Sequence, residues 1–179
     1  MSQQIRHSSA NSSLEAAEEG LPDMPDPLSL DAQLCFLLYS GVHAMGKVYK
    51  PALDAIGLTY PQYLVMLVLW EGHDVTVSRL GARLGLDSGT LTPLLRRMAA
   101  KGLLTRARDQ ADERRVNVGL TAEGRALKAR AGHVPEAMRC ALDLPDAELH
   151  ALRQTLGKLQ ARLMRAAGMA AESPLPDQG

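Results

Sequence analysis

At 179 residues the chain can fold as one domain with a sizeable core, and its 46% hydrophobic content is ordinary for a globular protein. No apolar run approaches the ~20 residues that span a bilayer. The opening MSQQIRHSSANSS lacks the apolar stretch of a secretory signal, so the expectation is a cytoplasmic protein with reduced thiols and no membrane partner. The net charge of zero conceals a segregation. Residues 1–31 hold one Arg against six carboxylates, a net of −5, while residues 76–130 hold twelve Lys and Arg against five Asp and Glu, a net of +7. A surface field depends on local charge, so the basic stretch fits either a solvated face or a face for a polyanion.

Residues 1–28 are rich in Ser, Glu, Pro and Gly and predict a disordered acidic tail. A helix begins near Ser29 or Asp31, with Leu30, Leu34, Leu37, Leu38 and Val42 at helical spacing, and Pro51 predicts a kink or break near Tyr49. A second helix opens at Tyr60-Pro61 and carries Tyr63, Leu64, Met66, Leu67 and Trp70 to a stop at Gly72-His73-Asp74. Two helices then follow across Gly85-Leu86: a short one over 77–84 and a longer one over 87–101, DSGTLTPLLRRMAAK. Asp87 can cap the second. Leu91, Leu94, Leu95 and Met98 form its apolar stripe. Ser88, Thr90, Thr92, Arg96 and Arg97 occupy its other face, the short hydrogen-bonding groups and cations that suit base edges and phosphates. This is helix-turn-helix spacing, with 87–101 as the recognition helix.

Gly102 is a C-terminal stop. Strands over 103–108 and 114–120 follow, joined by the polar turn DQADE. A hairpin directly after a recognition helix is a wing. Thr121 caps a helix running towards Cys140, with a possible disturbance at Pro135, and Pro145 opens a last helix bearing Leu149, Leu152, Leu156, Leu159 and Leu163. The fold class expected is mostly α with a small β wing: a winged helix-turn-helix (76–120) inside a domain spanning 29–172. Helical dimerisation and sensor regions (29–75 and 121–167) flank it, and a disordered tail covers 173–179. The leucine stripes at both ends favour a homodimer, and so does the paired half-site geometry of helix-turn-helix proteins.

Asp112, Arg114 and Arg115 sit at the wing tip. An arginine there can enter a narrow minor groove, and a carboxylate two residues earlier can hold its guanidinium. By spacing alone a weak surface ion pair is the commoner arrangement; the preceding helix-turn-helix is what favours a DNA contact. Aromatic residues make up 3% of the chain, yet all four tyrosines lie between Tyr39 and Tyr63, and Cys35 lies just before them. Cys35 and Tyr39 share a helix face. On an unbroken helix Tyr49 would lie ~21 Å from Cys35, beyond reach within one chain but within reach from an antiparallel partner. A thiol in the first turns of a helix, with hydroxyl donors near, is suited to react as thiolate with a peroxide, and a second thiol can trap the sulfenic acid. Cys140 is the only other cysteine. Taken alone, both cysteines also fit buried packing and the tyrosines fit core filling.

From about residue 30 to 163 the chain resembles the multiple-antibiotic-resistance regulator (MarR) family, in the DER wing and LTAEG. In LDAQLCFLLY, YKPALDAIGLTYPQYLVMLVLWE and LDSGTLTPLLRRM it resembles the organic-hydroperoxide-sensing (OhrR) branch. The resemblance implies that Cys35 is the peroxide-reactive cysteine, surrounded by Tyr39, Tyr49 and Tyr60, the last two from the other subunit. It implies that Arg114, oriented by Asp112, enters the minor groove. VPEAMRC resembles the segment carrying the resolving cysteine of two-cysteine members, so Cys140 would bond Cys35 of the partner subunit. The function implied is a homodimeric repressor that binds a pseudo-palindromic operator when reduced and leaves it on oxidation by organic hydroperoxide. An apolar rim of Phe36, Leu38 and Leu64 would favour alkyl peroxides. Two alternatives are a repressor of the same fold gated by a phenolic ligand, and a thiol peroxidase; the helix-turn-helix and wing would be idle in the second. The five histidines show no metal-ligand spacing, so neither metal nor cofactor is expected.

Overall fold

The computed structural model describes residues 26–72, 74–109, 112 and 115–168. The expected tails, apart from residues 26–28 of the first, lie outside the described residues. So do His73, Gln110, Ala111, Glu113 and Arg114. The chain divides into two compact units, Met1–His43 and Ala44–Gly179.

The described part of the first unit is helical. A short 3-10 helix, Leu30–Ala32, precedes α1, Leu34–Asp54, so the first α-helix begins several residues later than its apolar spacing suggests. No break occurs near Tyr49, contrary to the expectation drawn from Pro51. α1 continues through Pro51 to Asp54, because Ala52 and Leu53 beyond it are buried in the core of the second unit. Their burial offsets the missing N–H of the proline.

The second unit is built around α2, Tyr60–Trp70, whose N-terminus is stabilised by Pro61 and by Gln62 Oε1 accepting the Thr59 N–H at 3.0 Å. A one-sided stripe does not describe α2. Val65, Met66, Val68, Leu69 and Trp70 are all buried, and Leu67 points outward. A helix hydrophobic nearly all round is a central one. Packed on it are α3, Val77–Leu84; α4, Ser88–Ala100; and a sheet of β1, Val75–Thr76, β2, Leu104–Arg108, and β3, Val116–Leu120. The strand order is β1-β3-β2 and both pairings are antiparallel, with Val75 opposite Val118, Arg106 opposite Val118 and Leu104 opposite Leu120. β1 was not foreseen; two residues cannot display alternation. Leu80, Leu91, Leu95, Met98 and Val118 are completely shielded and bind α3, α4 and the sheet into one core. Each such side chain contributes roughly 1.5–3 kcal/mol relative to exposure.

The single helix expected from Thr121 to Cys140 is two: α5, Ala122–Arg130, and α6, His133–Leu142. The interruption falls at Ala131-Gly132. Pro135 instead lies in the first turn of α6, where a missing N–H is tolerated. Thr121 caps α5, accepting the Gly124 N–H at 3.0 Å and donating its hydroxyl to the Gly102 carbonyl at 2.6 Å. Trp70 Nε1 donates to the Gly124 carbonyl and Lys128 Nζ donates to the Trp70 carbonyl, each at 2.8 Å, clasping α2 to α5. α7, Asp146–Ala166, opens after Pro145 as expected and buries no residue; its Leu152, Leu156 and Leu163 are exposed.

Candidate nucleic-acid interface and thiol groups

The turn between α3 and α4 is fixed by two glycines. Gly85 ends α3 at φ +65°, and a Cβ on Gly81 would lie 2.8 Å from the Leu86 carbonyl oxygen. Asp87 then caps α4 as its sequence predicts. Its carboxylate accepts the Thr90 N–H and the Thr90 hydroxyl, each at 2.9 Å. These hydrogen bonds from Thr90, the backbone one first, hold the Asp87 carboxyl below its ordinary range. Leu91, Leu94, Leu95 and Met98 face the core. Ser88, Thr90, Arg96 and Arg97 are exposed on the opposite face and Thr92 is half-buried. The side chains singled out as DNA-facing therefore share the outer side of one helix. The Thr90 hydroxyl proton, however, is committed to Asp87, which leaves that residue only as an acceptor.

Because the folded Asp87 carboxyl titrates below its unfolded value, the cap stabilises α4 fully above the ordinary carboxylate range. That contribution is lost as the pH falls through the folded value. Asp87→Asn is accordingly expected to flatten the acid limb of thermal stability measured by circular dichroism. An acid limb identical to the wild type would remove Asp87 from the pH response.

Beyond Gly102, at φ +73°, the hairpin β2–β3 forms the wing. Its tip is laced by backbone and side-chain bonds: Asp109 N–H to the Arg115 carbonyl at 2.9 Å, Arg115 N–H to the Asp112 carbonyl at 2.9 Å, and Asn117 Nδ2 to Asp109 Oδ2 at 3.0 Å. Asp112 and Arg115 flank Arg114, which lies outside the described residues. Between α3, α4 and the hairpin runs an open cleft lined by Ser78, Arg79, Ser88, Thr92, Arg106 and Arg115 among others. Of the residues lining this cleft, the sequence singled out Ser88, Thr92 and Arg115 but not Ser78, Arg79 and Arg106. For Arg106 the signal was present: it shares a strand face with the buried Leu104.

In the first unit, Cys35 is exposed in the first turn of α1. Tyr39, one turn on and also exposed, packs against His43 with ring centroids 4.3 Å apart and the planes tilted by 47°. In the second unit Tyr49 and Tyr60 come together at 5.0 Å. Tyr63 joins them 6.4 Å from Tyr49, with Trp70 edge-on to Tyr63 at 6.2 Å. Burial raises the Tyr49 and Tyr63 hydroxyls above their ordinary range, with Tyr60 adding to it at both and Tyr63 also at Tyr49. Tyr63 was the member of this cluster not assigned from sequence. Cys140 is exposed on α6 and its Sγ donates to Glu136 Oε1 at 3.4 Å. Arg139 grips the same carboxylate through Nε at 2.9 Å and a terminal amino group at 2.6 Å, holding Glu136 below the ordinary carboxylate range. Among the described residues no group of His, Cys, Asp and Glu is placed to hold a metal ion, and no helix is long and apolar enough to cross a membrane.

A capped recognition helix, a tight preceding turn and a two-stranded wing in a three-stranded sheet define a winged-helix DNA-binding protein. Residues 47–131 match the family model for the transcriptional regulators SarA/Rot. The chain is 52% identical over 110 residues to the organic hydroperoxide resistance transcriptional regulator of Bacillus subtilis, covering 62% of this chain and 75% of that protein. It is 47% identical over 143 residues to the HTH-type transcriptional regulator TtmR of Methylorubrum extorquens, covering 80% and 73%. Among solved structures, reduced AbfR bound to DNA matches at TM-score 0.62 and 35% identity, covering 75% of this chain and 94% of that one. Disulfide-formed AbfR matches at TM-score 0.54 and 33% identity, covering 78% and 92%. The chain belongs to the MarR family of winged-helix transcriptional regulators, in its organic-hydroperoxide-regulator branch.

Proposed function

We propose that this regulator is a homodimeric, redox-sensing repressor that holds operator DNA when reduced and releases it when organic hydroperoxide oxidises Cys35. The observation that carries the reading is the exposed Cys35 thiol in the first turn of α1, where the helix N-terminus favours an anion. Its thiolate attacks the peroxide oxygen, the O–O bond breaks, an alcohol leaves with the proton, and Cys35 becomes sulfenic acid. The Cys140 thiol of the partner subunit then attacks that sulfur and water leaves, giving an intersubunit disulfide. Tyr39, Tyr49 and Tyr60 donate to the thiolate, the last two from the partner subunit. The apolar rim of Phe36, Leu38 and Leu64 selects alkyl peroxides. Ser88, Thr90, Thr92, Arg96 and Arg97 read the major groove, and Asp112, Arg114 and Arg115 serve the wing.

Two observations favour the dimer. The described part of the first unit exposes Leu30, Leu34, Leu37 and Val42, and α7 separately exposes Leu152, Leu156 and Leu163, more apolar surface than an isolated protomer leaves in water without reason. AbfR, reduced on DNA in one structure and disulfide-formed in another, supports a thiol switch on this fold.

The test uses the full chain and an operator duplex selected by the reduced protein from a random pool. Reduced protein is expected to bind as a dimer by light scattering. One equivalent of cumene hydroperoxide per Cys35 is expected to release it, with a dimer-sized band on non-reducing electrophoresis. Undiminished binding after stoichiometric oxidation would overturn the redox reading.

A further inference from the structure

The cleft beneath the wing holds a cation that the recognition-helix reading leaves unused. Arg106 stands on β2 opposite Val118, on the inner face of the hairpin, and lines the cleft with Ser78, Arg79, Ser88 and Thr92. It is half-buried, and its Nε is shielded from solvent without a hydrogen-bond partner among the described residues. The ion pairs found among those residues use Arg83 and Arg139 but not Arg106. A partly desolvated guanidinium with no ion pair among the described residues stands to gain from an incoming anion, because the local dielectric is low. The side chain that carries this buried Nε lines the cleft, where an anion can reach it. The first turn of α3 (Val77, Ser78 and Arg79) and the first residue of α4 line the same cleft, adding the anion preference of helix N-termini.

We infer that Arg106 is a DNA contact that takes a backbone phosphate of the strand passing between the recognition helix and the wing. The inference rests on the winged helix being the duplex-binding face. The occupant is a strand rather than a free small acid because the cleft is open and continuous with Ser88 and Thr92 of α4. A strand lying along those residues enters the same cleft that Arg106 lines. The contact is with phosphate, so it adds affinity and register without base preference.

Reduced full-length protein, Arg106→Gln and Arg106→Lys are titrated by fluorescence anisotropy against the selected operator and a random-sequence duplex, each over a range of KCl concentrations. Arg106→Gln is expected to weaken both complexes by the same factor, roughly tenfold, and to lower the slope of log K against log salt by about 0.9. Arg106→Lys, which keeps the charge and the fold, is expected to retain the wild-type slope. Unchanged affinity and slope in Arg106→Gln would overturn the assignment. So would a loss confined to the operator, or a slope that falls equally in Arg106→Lys. If the wild-type protein binds neither duplex, the winged-helix reading itself fails. That outcome is distinct from a wild type that binds normally alongside an indifferent Arg106→Gln.

Discussion

Cys35→Ser is expected to bind operator with an affinity within a factor of about two of the reduced wild type, since an exposed, near-isosteric substitution outside the winged helix-turn-helix changes little. It is also expected to lose release by organic hydroperoxide entirely. The asymmetry follows from chemistry. A serine hydroxyl reproduces the size of the thiol and its place in the first turn of α1, but it cannot reduce an O–O bond at neutral pH. Paired with it, Cys140→Ser is expected to consume peroxide at Cys35 and to form no intersubunit disulfide, because the trapping sulfur is gone. Gel shift and mass spectrometry on the same samples decide both cases. Normal release of Cys35→Ser by peroxide would place the sensor elsewhere, and a covalent dimer in Cys140→Ser would remove the trapping role from Cys140.

Gly124→Ala is the other large effect, and it concerns folding rather than chemistry. A Cβ at Gly124 would run into the Leu103 carbonyl oxygen and lie 3.1 Å from Leu120 Cδ2. The obstacle is backbone, held by the Thr121 N–H donating to the same Leu103 carbonyl at 3.3 Å, so it cannot rotate aside. Relief requires α5 to lift from the hairpin, which strains the Gly124 carbonyl bond to Trp70 and the Thr121 cap together. The expected cost is about 3 kcal/mol or more, the upper end for overpacking, against a total stability of roughly 5–15 kcal/mol. A lowered midpoint of urea unfolding with an unaltered m-value checks it. A midpoint equal to the wild type would mean that α5 is not pressed against the wing.

The parts of the molecule legible from sequence were those set by local rules. α4 showed its whole design in sixteen residues: an acidic cap, a stripe at i, i+3, i+4 and i+7, and a glycine stop. α3 and the two long wing strands were likewise visible. What escaped was set by packing. Pro51 suggests a break only if the core beyond it is ignored, and Ala52 and Leu53 are held there. α2 shows no clean stripe because nearly every side of it is covered. The α5–α6 junction follows Gly132 rather than the more conspicuous Pro135. At the candidate site, Arg106 was hidden by its neighbours. The sequence reading assigned it no role, although alternation from Leu104 turns this strand position inward.

Trp70 is the chain's single tryptophan, and it is buried where α2 meets α5. The chain therefore carries one indole fluorophore, stationed at the joint between the central helix and the helix behind the wing. Its emission wavelength registers solvent entry at that joint without any dye. Quenching by iodide before and after oxidation, or with and without a duplex, follows that one seam in real time, with no second indole to blur the signal.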